Sequence, residues 1–420
     1  MSLQGPIILV SDAPASALTE RLVAAGAFPV IEIGPDRIAE ATRSVQPAAV
    51  VLAGGSSIGD HEIAAAASAF GDRAQPYVPV IECTRGDAAP LLPFALPARC
   101  DAPPVLTARL RAALRVRTLH ASVLRRAAAL EENGGYPPPM PEGDPLDEAT
   151  VIVAGRGRAY PGLSVAIGER VALIGALSLE SAAGVLKSRD VDGIVIGDGF
   201  NKRVVDDFLA QLGTDARFRD LPVGVLDDVG SDIDPERLPN LDRVSGDAPR
   251  IAERMLPLMR LHAFTARLRR MAISLDARGV VDPRTGLRTF EAFMQDLKSA
   301  VGNANDRGDG LAVARFSLAS LADYRASLDA ARIVSRLVRT SDFACRDGDG
   351  TILVAFLDTS LAAAHVVARR IASVLKHTAL SPGRDRGTLD PSVAIASLKR
   401  RDTVETLMAR ITAESMVAAG

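Results

Sequence analysis

The sequence predicts two α/β domains, each built on a doubly wound parallel sheet, followed by an α+β domain. In the N-terminal part of the chain, short apolar runs alternate with amphipathic stretches, and this alternation occurs on both sides of a segment rich in proline and glycine. The C-terminal part combines longer helices with fewer strands. Repeated β-α units indicate a parallel sheet because parallel strands need a crossover connection.

The first predicted domain, residues 1–132, contains four short and largely apolar runs, as expected for strands buried on both faces of a sheet. These runs are Pro6–Ser11, Pro29–Ile33, Ala48–Ala53 and Tyr77–Glu82. Between the first two, Ala17–Ala25 places its apolar residues on one helical face. Residues 133–145 are predicted to be a linker, because their proline run favours an extended chain and their glycines end the preceding helix.

The second predicted domain, residues 146–262, repeats this plan. Its elements are predicted as strands at Thr150–Ala154, Arg170–Ile174, Gly193–Ile196 and Leu221–Leu226 and as helices at Ser178–Lys187 and Lys202–Leu212. Each domain ends in a long arginine-rich helix, Val105–Glu132 and Pro249–Asp276. Both helices carry the triplet Leu-His-Ala, around His120 and His262, which indicates an internal duplication.

The helix Pro249–Asp276 has a continuous apolar seam at steps of three and four residues. The seam consists of Ile251, Met255, Leu258, Leu261, Phe264, Leu268, Met271 and Leu275. Packing within its own domain explains the first half of the seam. The second half lies in the predicted connecting helix 263–280 and either joins the third domain or pairs with a second chain, which would make a homodimer.

The third predicted domain, residues 281–420, mixes both types of element. Strands are predicted at Gly310–Leu318, Thr351–Leu357 and Ser392–Ser397, and helices at Thr289–Val301, Asp329–Arg339, Leu361–Thr378 and from Val404 onward. The net charge of −2 argues against a protein that coats nucleic acid. No apolar run has the length of a signal peptide or a membrane span, so we expect a cytoplasmic protein without membrane insertion.

In size and element order, the first two domains resemble response-regulator receiver domains of the CheY-like fold. The resemblance places Ala53 at the phosphorylated aspartate and Ala102 at the lysine of that family, so it implies that the first domain is not phosphorylated. In the second domain Gly197 stands at the phosphoacceptor position. Asp198 follows one residue later and is the phosphoacceptor candidate; the alternative is an exposed loop aspartate. Both domains are therefore predicted to serve packing and interaction.

The C-terminal third carries a series of ordered motifs. Asp282–Leu287 is similar to the D-x-L-T-G-L segment that opens GGDEF domains, which have a nucleotidyl-cyclase-like α+β fold. Arg339 and Asp342 match the R-x-x-D motif of the inhibitory site in that family, and Arg370 matches the arginine that completes this site. The resemblance implies that these three residues bind cyclic di-GMP. The alternative is a surface ion pair between Arg339 and Asp342.

Cyclase activity is not expected. A cyclase needs acids to hold metal ions, and the resemblance places Gly350, Thr351 and Ser317 at these positions. The short segment Ala322–Leu328 stands where the family has its guanine-binding loop. The resemblance therefore implies a domain with no catalytic residue, metal or cofactor, and with cyclic di-GMP as a ligand.

Two receiver-like domains before a GGDEF-like domain resemble the layout of response-regulator cyclases. Loss of the signature with retention of the inhibitory site is similar to members of that group that act as effectors. This implies a cyclic di-GMP-dependent adaptor in cell-cycle or proteolysis control, with protease-delivery proteins as partners and a polar address in the cytoplasm. Two alternatives remain: a nucleotide-independent scaffold, and a phosphorelay response regulator that uses Asp198.

Overall fold

A computed structural model describes residues 3–53, 75–84, 86–99, 102–226, 234–318, 324–377 and 391–418. Contacts divide the chain into two compact units. The first unit comprises Met1–Arg126, Asp144–Lys187 and Val191–Leu268, and the second comprises Ala127–Gly143, Ser188–Asp190 and Arg269–Gly420. The domain boundaries inferred from the sequence stay predictions. Across the described ranges, no helix is both long enough and apolar enough to cross a membrane.

The first unit begins with a lobe, here called the first lobe and ending at residue 126, that contains a five-stranded parallel sheet. Its strands are β1 (Leu3–Val10), β2 (Ala27–Ile33), β3 (Ala49–Leu52), β4 (Val80–Thr84) and β5 (Leu96–Arg99), in the order β2-β1-β3-β4-β5. Its helices are α1 (Ser16–Ala24), α2 (Ile38–Val45) and α3 (Pro103–Glu132), the last of which extends into the second unit. This is a doubly wound order, so the predicted parallel sheet is confirmed.

The second lobe of this unit, residues 144–268, contains another five-stranded parallel sheet. Its strands are β6 (Thr150–Ala154), β7 (Ala172–Ala176), β8 (Gly193–Ile196), β9 (Val223–Leu226) and β10 (Leu241–Val244), in the order β10-β9-β8-β6-β7. Its helices are α4 (Ala159–Gly168), α5 (Leu179–Ser188), α6 (Lys202–Thr214) and α7 (Ala248–Asp276), the last of which extends into the second unit. Written from the opposite edge, the order is β7-β6-β8-β9-β10, in which the strands have the same arrangement as β2-β1-β3-β4-β5 of the first sheet. This agrees with the proposed duplication.

The apolar seam of α7 is packed inside the single chain. Every member of the seam is buried except Phe264, which is half-buried. The ring of Phe264 makes edge contacts with Tyr77 and His120 of the first lobe, at centroid distances of 5.7 and 5.3 Å. The seam therefore packs within one chain, and the homodimer stays a prediction.

The second unit is built on a four-stranded antiparallel sheet. Its strands are β11 (Leu311–Leu318), β12 (Phe343–Arg346), β13 (Ile352–Leu357) and β14 (Pro391–Ser397), in the order β12-β13-β11-β14. Its helices are α8 (Phe290–Arg307), α9 (Tyr324–Leu337), α10 (Leu361–His377) and α11 (Val404–Ala418). Side chains alternate along each strand, so Ala314 and Phe316 of β11 pack against α9 and α10, whereas Leu311 and Val313 pack against α8 and α11.

Candidate functional site

Arg339 and Asp342 lie in the short connection between α9 and β12. The amide of Asp342 donates a hydrogen bond to the carbonyl of Arg339 (N···O 3.0 Å), which makes this connection a tight turn. Oδ1 of Asp342 accepts a hydrogen bond from the amide of Leu357 at the end of β13 (3.1 Å). Because β12 and β13 are paired strands, this bond holds the carboxylate in a fixed direction beside the sheet edge.

Arg370 lies in the third turn of α10, the helix that follows β13. Its neighbours Ala364, Ala368, Ile371 and Leu375 are buried at steps of three and four, so α10 is anchored to the core by one face. Arg370 itself is exposed. The bond from Leu357 to Asp342 ties the turn that carries Arg339 and Asp342 to the strand end from which α10 starts.

The two arginines carry exposed charges. Within the described ranges, neither Arg339 nor Arg370 forms an ion pair, and Asp342 is bonded to a backbone amide rather than to Arg339. The surface ion pair considered above is therefore not seen in the described part of the chain. A guanidinium group without an ion-pair partner can bind anionic oxygens, and an oriented carboxylate can accept hydrogen bonds from a donor edge.

The segment at the signature position, Asp347–Thr351, is the tight turn between β12 and β13. The amide of Asp347 donates to the carbonyl of Thr351 (2.8 Å), and the amide of Gly350 donates to the carbonyl of Asp347 (2.9 Å). Gly350 has a φ of +85°, in the left-handed region that favours glycine. Thr351 is buried. The positions expected to hold acids in an active cyclase are thus occupied by a glycine that the turn requires and by a buried threonine.

Asp349 is one of two acids in this turn, the other being Asp347. Its Oδ1 accepts from the amide of Thr351 (2.9 Å), and its Oδ2 lies 3.2 Å from a guanidinium nitrogen of Arg315 on β11. Burial raises the pKa of Asp349, but hydrogen bonds from Thr351 and the charge of Arg315 outweigh this effect and hold the pKa below its ordinary value. Asp349 is therefore ionised and already neutralised by Arg315.

Within the described ranges, no three or more His, Cys, Asp or Glu side chains come close enough together to hold a metal ion. Ser317 stands on β11 at the position expected for a strand-end acid. Residues 322 and 323, which belong to the segment predicted to replace the guanine-binding loop, lie outside the described residues.

Asp198 has a structural role in the second lobe. Its two carboxylate oxygens accept hydrogen bonds from the amides of Arg158 (2.9 Å) and Ala159 (3.1 Å), at the start of α4. These amides belong to the group of N-terminal helix donors that have no partner within the helix. A Cβ added at Gly157 would lie 2.2 Å from this carboxylate, so the loop closes tightly around it. Phosphorylation of Asp198 stays a prediction.

Sequence reasoning missed Tyr160, which fills the space beside the end of β6. A Cβ added at Gly155 would lie 3.1 Å from the Tyr160 ring, and one added at Gly175 would lie 2.2 Å from its hydroxyl. The ring therefore occupies the space beside Gly155, directly after β6. The two glycines are the sequence signal that could have indicated a bulky neighbour.

No family model and no curated protein matches the chain. Similar solved structures are GGDEF domains. The coiled coil and GGDEF domain of DgcB from Caulobacter crescentus, solved in complex with c-di-GMP, is 19% identical and covers 36% of this chain and 87% of its own, with a TM-score of 0.33. The FimX GGDEF domain from Pseudomonas aeruginosa is 18% identical and covers 33% of this chain and 93% of its own, with a TM-score of 0.31.

Proposed function

We propose that this chain is a cyclic di-GMP receptor whose GGDEF-like domain does not synthesise the ligand. One observation carries the proposal: the guanidinium groups of Arg339 and Arg370 are exposed and form no ion pair in the described part of the chain. The carboxylate of Asp342, three residues after Arg339, accepts a hydrogen bond from the amide of Leu357. Binding would therefore not require an existing ion pair to be broken.

The chemistry of cyclic di-GMP suits these groups. The ligand has two guanines and two phosphates. A guanidinium group is a planar fork that pairs with guanine O6 and N7 or with two phosphate oxygens. The carboxylate of Asp342 accepts hydrogen bonds from the N1–H and N2–H edge of guanine. One bidentate contact of this kind contributes roughly 1–3 kcal/mol, so three such contacts contribute roughly 3–9 kcal/mol, and the upper end of this range corresponds to micromolar affinity.

The absence of catalysis is part of the same proposal. Gly350, Thr351 and Ser317 stand where acids would hold metal ions, and the charge of Asp349 is neutralised by Arg315. The two N-terminal lobes then serve as degenerate receiver domains that offer interaction surfaces. Ligand binding would control contacts with protein partners, of which adaptor or protease-delivery proteins are the expected class.

The test is calorimetric titration of the full chain with cyclic di-GMP. We expect saturable binding that weakens roughly 5- to 150-fold in each of the variants Arg339→Ala and Arg370→Ala. Arg369→Ala is the matched control, because Arg369 is the exposed neighbour on the same helix and lies outside the proposed site. Absence of binding by folded protein would leave the nucleotide-independent scaffold. Production of cyclic di-GMP from GTP and Mg²⁺ would contradict the proposed inactivity.

A further inference from the structure

Two buried arginines and one aspartate join the two lobes of the first unit. Arg109 lies on α3 of the first lobe, and Arg254 lies on α7 of the second lobe. Both side chains bind Asp242 of β10. The three side chains are at most 3% exposed, which is unusual for charged groups on the surface between two similar folds.

Arg109 extends from the first lobe into the second. Its Nε donates to the carbonyl of Pro239 (3.3 Å), and its Nη2 donates to the carbonyl of Leu241 (3.0 Å). Nη1 lies 3.4 Å from Oδ2 of Asp242 and also donates to the carbonyl of Pro97 in its own lobe. Three of these four acceptors therefore belong to the opposite lobe.

Arg254 makes the reciprocal connection. Its Nε and Nη2 bind both carboxylate oxygens of Asp242, at 3.0 and 3.1 Å. Its Nη1 reaches the first lobe, where it donates to Oγ1 of Thr84 (3.1 Å) and to the carbonyl of Ala88. The Thr84 hydroxyl also lies 3.4 Å from the carbonyl of Ala98, so it can accept from Arg254 while donating within its own lobe.

The charge balance explains why the lobes depend on each other. One carboxylate faces two guanidinium groups, which leaves one buried positive charge that carbonyl oxygens of both lobes must stabilise. Separation of the lobes would remove these carbonyls from Arg109 and the Thr84 hydroxyl from Arg254. On separation the charged groups become hydrated. Removal of one partner while the lobes stay packed is different, because it leaves a buried charge without compensation and is strongly destabilising, whereas loss of an exposed ion pair has little effect.

We propose that the two lobes are a permanent intramolecular pair, locked by Arg109, Asp242 and Arg254, and that the first unit works as one fixed interaction body. In this pair the Thr84 hydroxyl at the end of β4 accepts a hydrogen bond from Arg254 of the other lobe. The proposal does not depend on nucleotide binding.

The first test cuts the covalent connection. A protease recognition sequence is inserted after Gly134, an exposed residue of the linker, in the otherwise unchanged full chain. After cleavage we expect the fragments to co-elute in size-exclusion chromatography at low salt and also at about 1 M salt, where exposed ion pairs are screened. Separation of the cleaved fragments at either salt concentration would overturn the proposal.

The second test compares two carboxylates that pair across the lobes. Asp242→Asn removes the charge of the buried carboxylate, and Glu236→Gln removes that of an exposed one, which pairs with Arg111. In the cleaved protein, Asp242→Asn should raise the dissociation constant between fragments at least about 100-fold, and Glu236→Gln about threefold or less. Equal effects would overturn the lock. Circular dichroism checks that each variant is folded, and should Asp242→Asn not fold, the salt series on the cleaved parent decides.

Discussion

Asp342 combines a structural contact with a proposed ligand contact, and two substitutions separate them. Its Oδ1 accepts from the amide of Leu357, which leaves its second oxygen and its charge for a ligand. Asp342→Asn retains an oxygen for Leu357 but removes the charge. Asp342→Ala removes both the oxygen and the charge.

The structure gives the expected sizes of the two effects. Loss of the single hydrogen bond to Leu357 in Asp342→Ala should lower the free energy of unfolding by about 1 kcal/mol, the typical net value of such a bond. Asp342→Asn should change it by less than about 0.5 kcal/mol. Hydrogen bonds to a charged group contribute about 1.5–3 kcal/mol, so both variants should bind cyclic di-GMP roughly 10- to 150-fold more weakly.

Two measurements on each variant decide between these roles. Calorimetry gives the affinity, and urea unfolding followed by circular dichroism gives the stability; the chain has no tryptophan, so tryptophan fluorescence cannot report on unfolding. If Asp342→Asn bound the ligand as tightly as the parent while Asp342→Ala lost stability, Asp342 would only be structural. The assignment of the carboxylate to the ligand would then be wrong.

Three further predictions concern groups outside the ligand site. Asp198→Ala should lower stability by about 1 kcal/mol because two amides at the start of α4 lose their acceptor, and acetyl phosphate should not label Asp198, as read by mass spectrometry. Gly350→Ala should cost about 1–2 kcal/mol in thermal unfolding, because an alanine at a φ of +85° is strained. The pKa of Asp349 is lowered in the folded protein, so ionised Asp349 stabilises the fold. This stabilisation is fully present above the ordinary pKa of 3.8 and is lost as the pH falls through the lower pKa of the folded state. Asp349→Asn should therefore remove this part of the dependence of stability on acid pH.

The sequence predicted the central strands of the three sheets and the edge strands β2, β7 and β14, but it missed the other edge strands. Three strands were not predicted: β5, β10 and β12, with the sequences LPAR, LDRV and FACR. Each lies at the edge of its sheet. An edge strand has one unpaired side and tolerates proline and charged residues, so it lacks the continuous apolar run that identifies a central strand such as β8.

The candidate site was only partly accessible to sequence reasoning. Spacing and resemblance singled out Arg339, Asp342 and Arg370, but not the amide of Leu357 that directs the carboxylate. Contacts between remote residues leave no local pattern. One such contact joins Arg254 and Thr84, which are 170 residues apart in sequence, and another joins Asp198 to the start of α4. Such contacts follow from the topology of the sheets, and a single sequence does not encode them in its periodicity.

The positions of the two groups of residues are compatible with the proposed combination of ligand binding and inactivity. The residues that the resemblance places at the metal-binding acids belong to β11 and to the turn between β12 and β13, where Asp349 pairs with Arg315. The proposed ligand residues lie elsewhere, in the turn before β12 and on the outer face of α10, and Asp342 is oriented by a separate hydrogen bond. Among the residues that the structure describes, no hydrogen bond connects Asp349 or Arg315 with Asp342. Substitutions in the hairpin turn can therefore accumulate without disturbing the ligand side chains, provided that the strand pairing between β12 and β13 is kept.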